Sequence, residues 1–148
     1  MVKVVEKTFM VVGGKNRGLF KEYAEAVPKA AQLFLNRESE IPFSSGIEVT
    51  VYEQPKQQNQ LEGTFYVGVL VNEKVSDLPT GMEYIEAEHR YAMTTGKVSE
   101  MSNIYSNLDK WIVENNYQHS SPNNYIIEVY DQVENDVENV EVYIPIVN

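Results

Sequence analysis

Apolar and polar positions alternate through residues 3–12, which are rich in β-branched side chains, the pattern of a strand with one buried face. The period then changes. Phe20, Tyr23, Val27, Ala31 and Phe34 recur near helical spacing and predict a helix over 20–36. Pro28 falls inside it, where it either kinks the helix or opens its regular part. IEVTVYEQ (47–54) and GTFYVGVLV (63–71) read as a hairpin around the polar PKQQNQLE segment. Turn residues in NEKVSDLPTG (72–81) predict a linker. The second half opens with strands at 83–87 and 89–96. A helix follows over 100–115, with Met101, Ile104, Tyr105, Leu108 and Ile112 on one stripe and Trp111 at its edge. A last hairpin pairs 124–131 with 139–146 across an acidic loop. The expected architecture is α+β: a β-α-β-β unit used twice, with a mostly antiparallel sheet and two main helices on one side.

The two halves also match in sequence. VVEKTFMVVGGK (4–15) aligns with EAEHRYAMTTGK (86–97), placing Phe9 on Tyr91, Gly14 on Gly96 and Lys15 on Lys97. The same offset of 82 carries Tyr23 onto Tyr105. EVTVYEQ (48–54) aligns with IIEVYDQ (126–132) at an offset of 78. Two blocks in the same order predict a duplication inside a single domain spanning 1–148, with halves 1–74 and 82–148.

Composition narrows the function classes. The chain has 148 residues and is 43% hydrophobic, enough for one domain with a real core. It has no cysteine, which removes disulfide frameworks and cysteine metal sites. No apolar run is long enough to span a membrane, and the charged N-terminus does not read as a signal peptide, so a cytoplasmic location is expected. Net charge is −10. Residues 1–74 carry nine basic and nine acidic side chains, whereas 75–148 carry three and thirteen. All the excess negative charge therefore lies in the second half. It disfavours direct nucleic-acid binding and favours cations.

One residue breaks the pattern. Glu128 sits inside the run Tyr125-Ile126-Ile127-Glu128-Val129-Tyr130. Ile126, Glu128 and Tyr130 share one face of that strand, and Tyr125, Ile127 and Val129 take the other. Both faces are largely apolar, so the strand is expected to be covered on both sides. In the partner strand, Val140, Val142, Ile144 and Ile146 form one face, with Glu141 and Tyr143 on the other. A buried carboxylate is costly unless it is paired or hydrogen-bonded. The only Lys or Arg within eighteen positions of Glu128 is Lys110, at that limit. A tyrosine hydroxyl or a bound cation would serve, and ten tyrosines supply hydroxyls and ring faces. A solvated sheet face is the plain alternative.

With these residues in place, the chain resembles the GyrI-like, AraC-type bacterial effector-binding domains, including those of integron cassettes. VVEKTFMVVGG is similar to their opening strand, VPKAAQLFLNR to their first helix, and IIEVYDQ and VEVYIPI to their closing strands. The most characteristic block is LPTGMEYIEAEHRYAMTTGKVSEMSNIYSNLDKWIVENNY. LNRESEIPFSSGIEVTVYEQP departs from the pattern. The resemblance implies a drug-binding pocket near a pseudo-twofold axis, taking lipophilic and often cationic compounds. It puts the family's central pocket glutamate on Glu128 and a pocket tyrosine on Tyr143. Tyr130, Tyr105, Trp111, Phe20 and Tyr52 are further candidate ligand contacts, although ordinary core is the commoner role for aromatics on a helix stripe.

A chain that starts directly with the first strand, lacking a helix-turn-helix segment, is expected to be a stand-alone binder linked to drug sequestration or to a separate regulator. The expected ligand is a small lipophilic cation, with no cofactor, no metal and no membrane contact, in a monomer or weak dimer. Two alternatives stay open. One is hydrolysis of electrophilic or cyclopropane-bearing compounds, with Glu128 as general base. The other is an interaction module directed at a regulator or gyrase. Other motifs lead nowhere. Gly13-Gly14-Lys15 lacks phosphate-loop spacing, the acidic run 131–141 lacks an EF-hand pattern, and His89 and His119 have no metal-binding partners at a telling spacing.

Overall fold

The computed structural model describes residues 1–130 and 138–148. The elements run β1 (Lys3–Leu19), α1 (Tyr23–Leu35), β2 (Ser44–Tyr52), β3 (Glu62–Val71), β4 (Met82–Lys97), α2 (Met101–Glu114), β5 (Gln118–His119), β6 (Ile126–Tyr130) and β7 (Asn139–Val147). Strand–helix–strand–strand thus occurs twice, with the two-residue β5 added in the second pass. A 3-10 turn, Phe20–Glu22 or Val98–Glu100, leads into each helix. The α+β class and the antiparallel sheet follow the alternation in the sequence.

One feature differs from expectation: the strands expected at 83–87 and 89–96 are one continuous β4. Of the two placements open to Pro28, the structure shows it inside α1. The match of Asp131 and Gln132 to the first half lies outside the described residues.

All strand pairs are antiparallel, and six strands close a ring. β1 pairs β3, β3 pairs β2, β2 pairs β6, β6 pairs β7, β7 pairs β4 and β4 returns to β1. Closure requires sharp coiling of the long strands. Gly13 and Gly68 face each other where β1 meets β3. A Cβ on Gly68 would lie 2.3 Å from the Val12 carbonyl oxygen, so only glycine permits this approach.

Inside the ring is a core of Phe9, Val11, Val49, Val51, Ile127, Val129 and their neighbours. Phe9 stands edge-on to Tyr91 and Tyr143 at centroid distances of 5.5 and 4.9 Å, the arrangement favoured by ring quadrupoles. Both helices pack on the outer face. α1 buries Val27 and Phe34 with Val12, Phe65 and Val69. α2 buries Ile104, Leu108 and Ile112 with Val140, Val142 and Ile144. Each helix thus uses the side chains at three- and four-residue spacing that its sequence places on one face.

The β2–β6 ladder centres on Thr50 opposite Glu128, residues 78 apart. The two helices begin at Tyr23 and Met101, also 78 apart. Across the ring, β1–β4 pairs Lys7 with His89, residues 82 apart. Exchanging the halves therefore maps each ladder onto itself. It also revises one match: Tyr23 corresponds to Met101, and Val27 to Tyr105.

Candidate ligand-binding site

The β2–β6 seam lies on the outer face between the two helices. Alternation turns Val49 and Val51 inward, and so turns Glu48, Thr50 and Tyr52 outward. Likewise Ile127 and Val129 point inward, and Glu128 and Tyr130 outward. These outward residues floor a cavity of about 580 Å³, in the range that holds drug-sized ligands. α1 walls it with Tyr23, Ala24, Val27, Pro28, Ala31 and Leu35, and Val98, Met101 and Ser102 close the α2 side. The small side chains of Ala24 and Ala31 leave room that a larger apolar residue would fill. Pro28 has no N–H to offer the Ala24 carbonyl one turn back, and both residues line the cavity.

Glu128 is 3% exposed. Three tyrosine hydroxyls donate to it. Tyr52 reaches Oε1 at 3.0 Å, Tyr105 reaches Oε2 at 2.6 Å, and Tyr130 also donates to Oε1. Hydrogen bonds to a charged acceptor contribute about 1.5–3 kcal/mol each, so three of them offset the several kcal/mol needed to bury a carboxylate. Burial first, and the Glu128 charge second, push the Tyr52, Tyr105 and Tyr130 hydroxyls far above their ordinary range. They therefore remain protonated donors.

Among the described residues, the cavity lining contains three carboxylates, Glu48, Glu128 and Glu138, and no Lys, Arg or His. A carboxylate has about four acceptor directions, of which three are used here. What it offers a ligand is mostly its field, together with the faces of Tyr23, Tyr52 and Tyr130. That combination suits a cation carrying few N–H groups.

The sequence-derived residues divide into two sets. Glu128, Tyr52, Tyr105 and Tyr130 come together, with Tyr105 outside the lining and bonded to Glu128. Phe20, Trp111 and Tyr143 stand elsewhere. Phe20 packs edge-on against Tyr23 at 5.4 Å, one ring away from the cavity. Trp111 stacks on Tyr117 at 5.7 Å in the α2-side core.

Tyr143 is corrected by register. β6–β7 pairs Glu128 with Val142 and Ile127 with Tyr143, so Tyr143 shares the inner face with Ile127. There it packs in the ring core, with its hydroxyl donating to Glu141 at 2.9 Å and Lys7 Nζ 3.4 Å away. Sequence reasoning missed Tyr23, Thr50, Met101 and Glu48 as cavity residues. Their signal was positional, since each shares a face or a helix turn with a residue already identified.

The twice-used strand–helix–strand–strand unit and its antiparallel sheet are those of the effector-binding class of α+β domains. More narrowly, the chain is a member of the integron-associated effector binding protein family, whose model matches residues 4–146. Among curated proteins none matches the chain significantly.

Solved structures share the fold at low identity. SAV2435 bound to tetraphenylphosphonium aligns with TM-score 0.71 at 10% identity, over 100% of this chain and 94% of that one. The Vibrio cholerae integron cassette protein VCH_CASS2 aligns with TM-score 0.68 at 11% identity, over 99% and 95%. EcmrR in its DNA complex aligns with TM-score 0.69 at 13% identity, where 99% of this chain covers 57% of the EcmrR chain. No helix among the described residues is long and apolar enough to cross a membrane.

Proposed function

We propose that the chain binds lipophilic cations without converting them, and that Glu128 supplies the attraction. The observation that carries this reading is a 3% exposed carboxylate held by three tyrosine hydroxyls, at the wall of a cavity whose lining has no basic side chain among the described residues. A bound cation restores neutrality that no side chain of the lining provides. Cation–π contacts to the tyrosine faces add up to ~2 kcal/mol where water is excluded. The aliphatic wall from α1 takes the lipophilic bulk of the ligand. Family membership and the cation-bound SAV2435 neighbour support the same class of ligand.

Binding ranks above hydrolysis because the Glu128 lone pairs are committed to hydroxyl donors. Little of the carboxylate is left to activate a water, and the groups bonded to it are tyrosine hydroxyls that burial and the Glu128 charge hold protonated. The chain would then act by holding a compound, either to sequester it or to report it to a separate regulator.

The test uses two ions of nearly the same shape and apolar area but opposite charge. Tetraphenylphosphonium and tetraphenylborate are titrated into the protein by calorimetry. Saturable binding of the cation, with the anion at least ~30-fold weaker, is expected from ~2 kcal/mol of charge discrimination. Equal binding of both ions would mean that burial of apolar area alone drives association, and would remove Glu128 from the account.

A further inference from the structure

The cavity carries a second negative pole. Glu48 stands opposite Tyr130 in the β2–β6 ladder, and Thr50 stands opposite Glu128. Glu48 and Glu128 are therefore diagonal neighbours on one face, a relation that separates side-chain origins by ~7–8 Å. Both line the same cavity, and Glu138 joins Glu48 at its end of the lining.

The two poles differ in state. Glu128 is held by three hydroxyl donors. Among the described residues no hydrogen bond or ion pair holds Glu48, and its charged neighbours are Glu138 and Glu38. It is half-buried, so its charge is neither neutralised nor fully solvated. Tyr130 stands opposite Glu48 beside Glu128, and the same lining carries the apolar side chains of Leu35 and Met101.

We infer that the cavity is built for a dication, one positive centre set against Glu128 and the second against Glu48 and Glu138, joined by a short apolar linker. The inference rests on the cation-binding reading above and narrows its ligand class. A monocation would satisfy the deep pole and leave the outer pair of carboxylates repelling one another. A second positive centre relieves that repulsion as well as adding its own attraction. Because Glu48 lacks saturating donors, the outer centre can also be a group with N–H donors, such as an amidinium, whereas the inner one is better quaternary.

The experiment compares a bis-quaternary ammonium ion with a hexamethylene linker against the mono-quaternary analogue that ends in a neutral group of the same size. Both are titrated into the parent, Glu48→Gln and Glu138→Gln. The dication is expected to bind the parent about tenfold tighter. Glu48→Gln should remove most of that advantage, bringing the ratio of dication to monocation affinity close to one. An independent check uses the unmodified protein. Raising ionic strength from ~0.1 M to ~1 M shortens the screening length from ~10 Å to ~3 Å, and should erode the dication advantage more than the monocation affinity.

Equal affinity of the two ligands for the parent overturns the dication inference and leaves the cation reading standing. A dication advantage that survives both Glu48→Gln and Glu138→Gln overturns it too. Failure of both ligands to bind, with the tetraphenylphosphonium test also negative, removes the underlying reading as well.

Discussion

The two halves of the chain contribute matching positions to one cavity and the hydrogen-bond network on its carboxylate, and they fill them differently. The first half brings Tyr23, Val27, Thr50 and Tyr52, and the second brings Met101, Tyr105, Glu128 and Tyr130. Only the pair Tyr52 and Tyr130 is the same on both sides, and both of its hydroxyls converge on a single carboxylate. The other three pairs are unlike. Across the axis from Glu128 stands Thr50, 1% exposed, and across from the Tyr105 donor stands Val27. A symmetric scaffold thus carries a polarised site, with charge and its donors concentrated toward β6 and α2 and apolar bulk toward α1. Two glutamates facing each other at the axis would repel and could not both stay ionised, so one carboxylate at the axis is the stable solution.

The most severe way to break this asymmetry is Thr50→Glu, which restores symmetry by adding a second buried carboxylate opposite Glu128. It should cost about 3 kcal/mol or more in urea denaturation, because the new charge has no free donor. A loss below ~0.5 kcal/mol would mean that the seam is more hydrated than its burial implies. Slightly milder is Glu128→Ala, which leaves three hydroxyls without their acceptor and should cost about 3 kcal/mol. Thr50→Ala at the matching position should cost under ~1 kcal/mol, and comparable losses at the two sites would contradict the assignment of the polar network to one half. Removing single hydroxyls sharpens the picture. Tyr52→Phe, Tyr105→Phe and Tyr130→Phe should each cost about 1.5 kcal/mol or more, whereas Tyr143→Phe, on the inner face, should leave cation affinity unchanged.

The smallest effect concerns Glu48. Burial first, then the neighbouring Glu138 and Glu38 charges, raise its carboxyl above the ordinary range. Glu128 and Tyr130 also face it across the seam. A group whose folded value is raised holds its proton more tightly when folded. Its stabilising contribution is therefore complete below its unfolded value of ~4.3 and is lost as pH rises through the folded value. Glu48→Gln should accordingly be slightly more stable than the parent at neutral pH, with the gap closing as the solution is acidified toward that value. Thermal melts across pH check this, and a gap that widens in acid would reverse the sign of the argument.

The pieces that could be read from sequence share a physical cause: they depend on near neighbours along the chain. Periodicity located both helices and the hairpin strands. Alternation put Glu128 and Tyr130 on one face. The charge argument required a partner for Glu128, and the structure supplies it as tyrosine hydroxyls. The parts that stayed hidden are long-range. Closure of the ring through β4 and β7 joins strands about fifty residues apart. Tyr143 was misplaced because alternation within β7 says nothing of its register against β6. Tyr23 was matched to Tyr105 on identity, whereas the helix starts set it on Met101. The α1 wall was read as an ordinary core stripe. Alanine at 24 and 31 around Pro28 was the available sign that this stripe leaves volume unfilled.

The central claim is that one buried carboxylate, presented by tyrosines, selects positive ligands. Its most direct test is the affinity of tetraphenylphosphonium for Glu128→Gln relative to the parent, with tetraphenylborate as the control ion. Glutamine keeps the volume and part of the hydrogen bonding while removing the charge. The account predicts a loss of about thirtyfold for the cation and no loss for the anion, provided the variant keeps the parent circular dichroism spectrum. Unchanged cation affinity in a folded variant would contradict it.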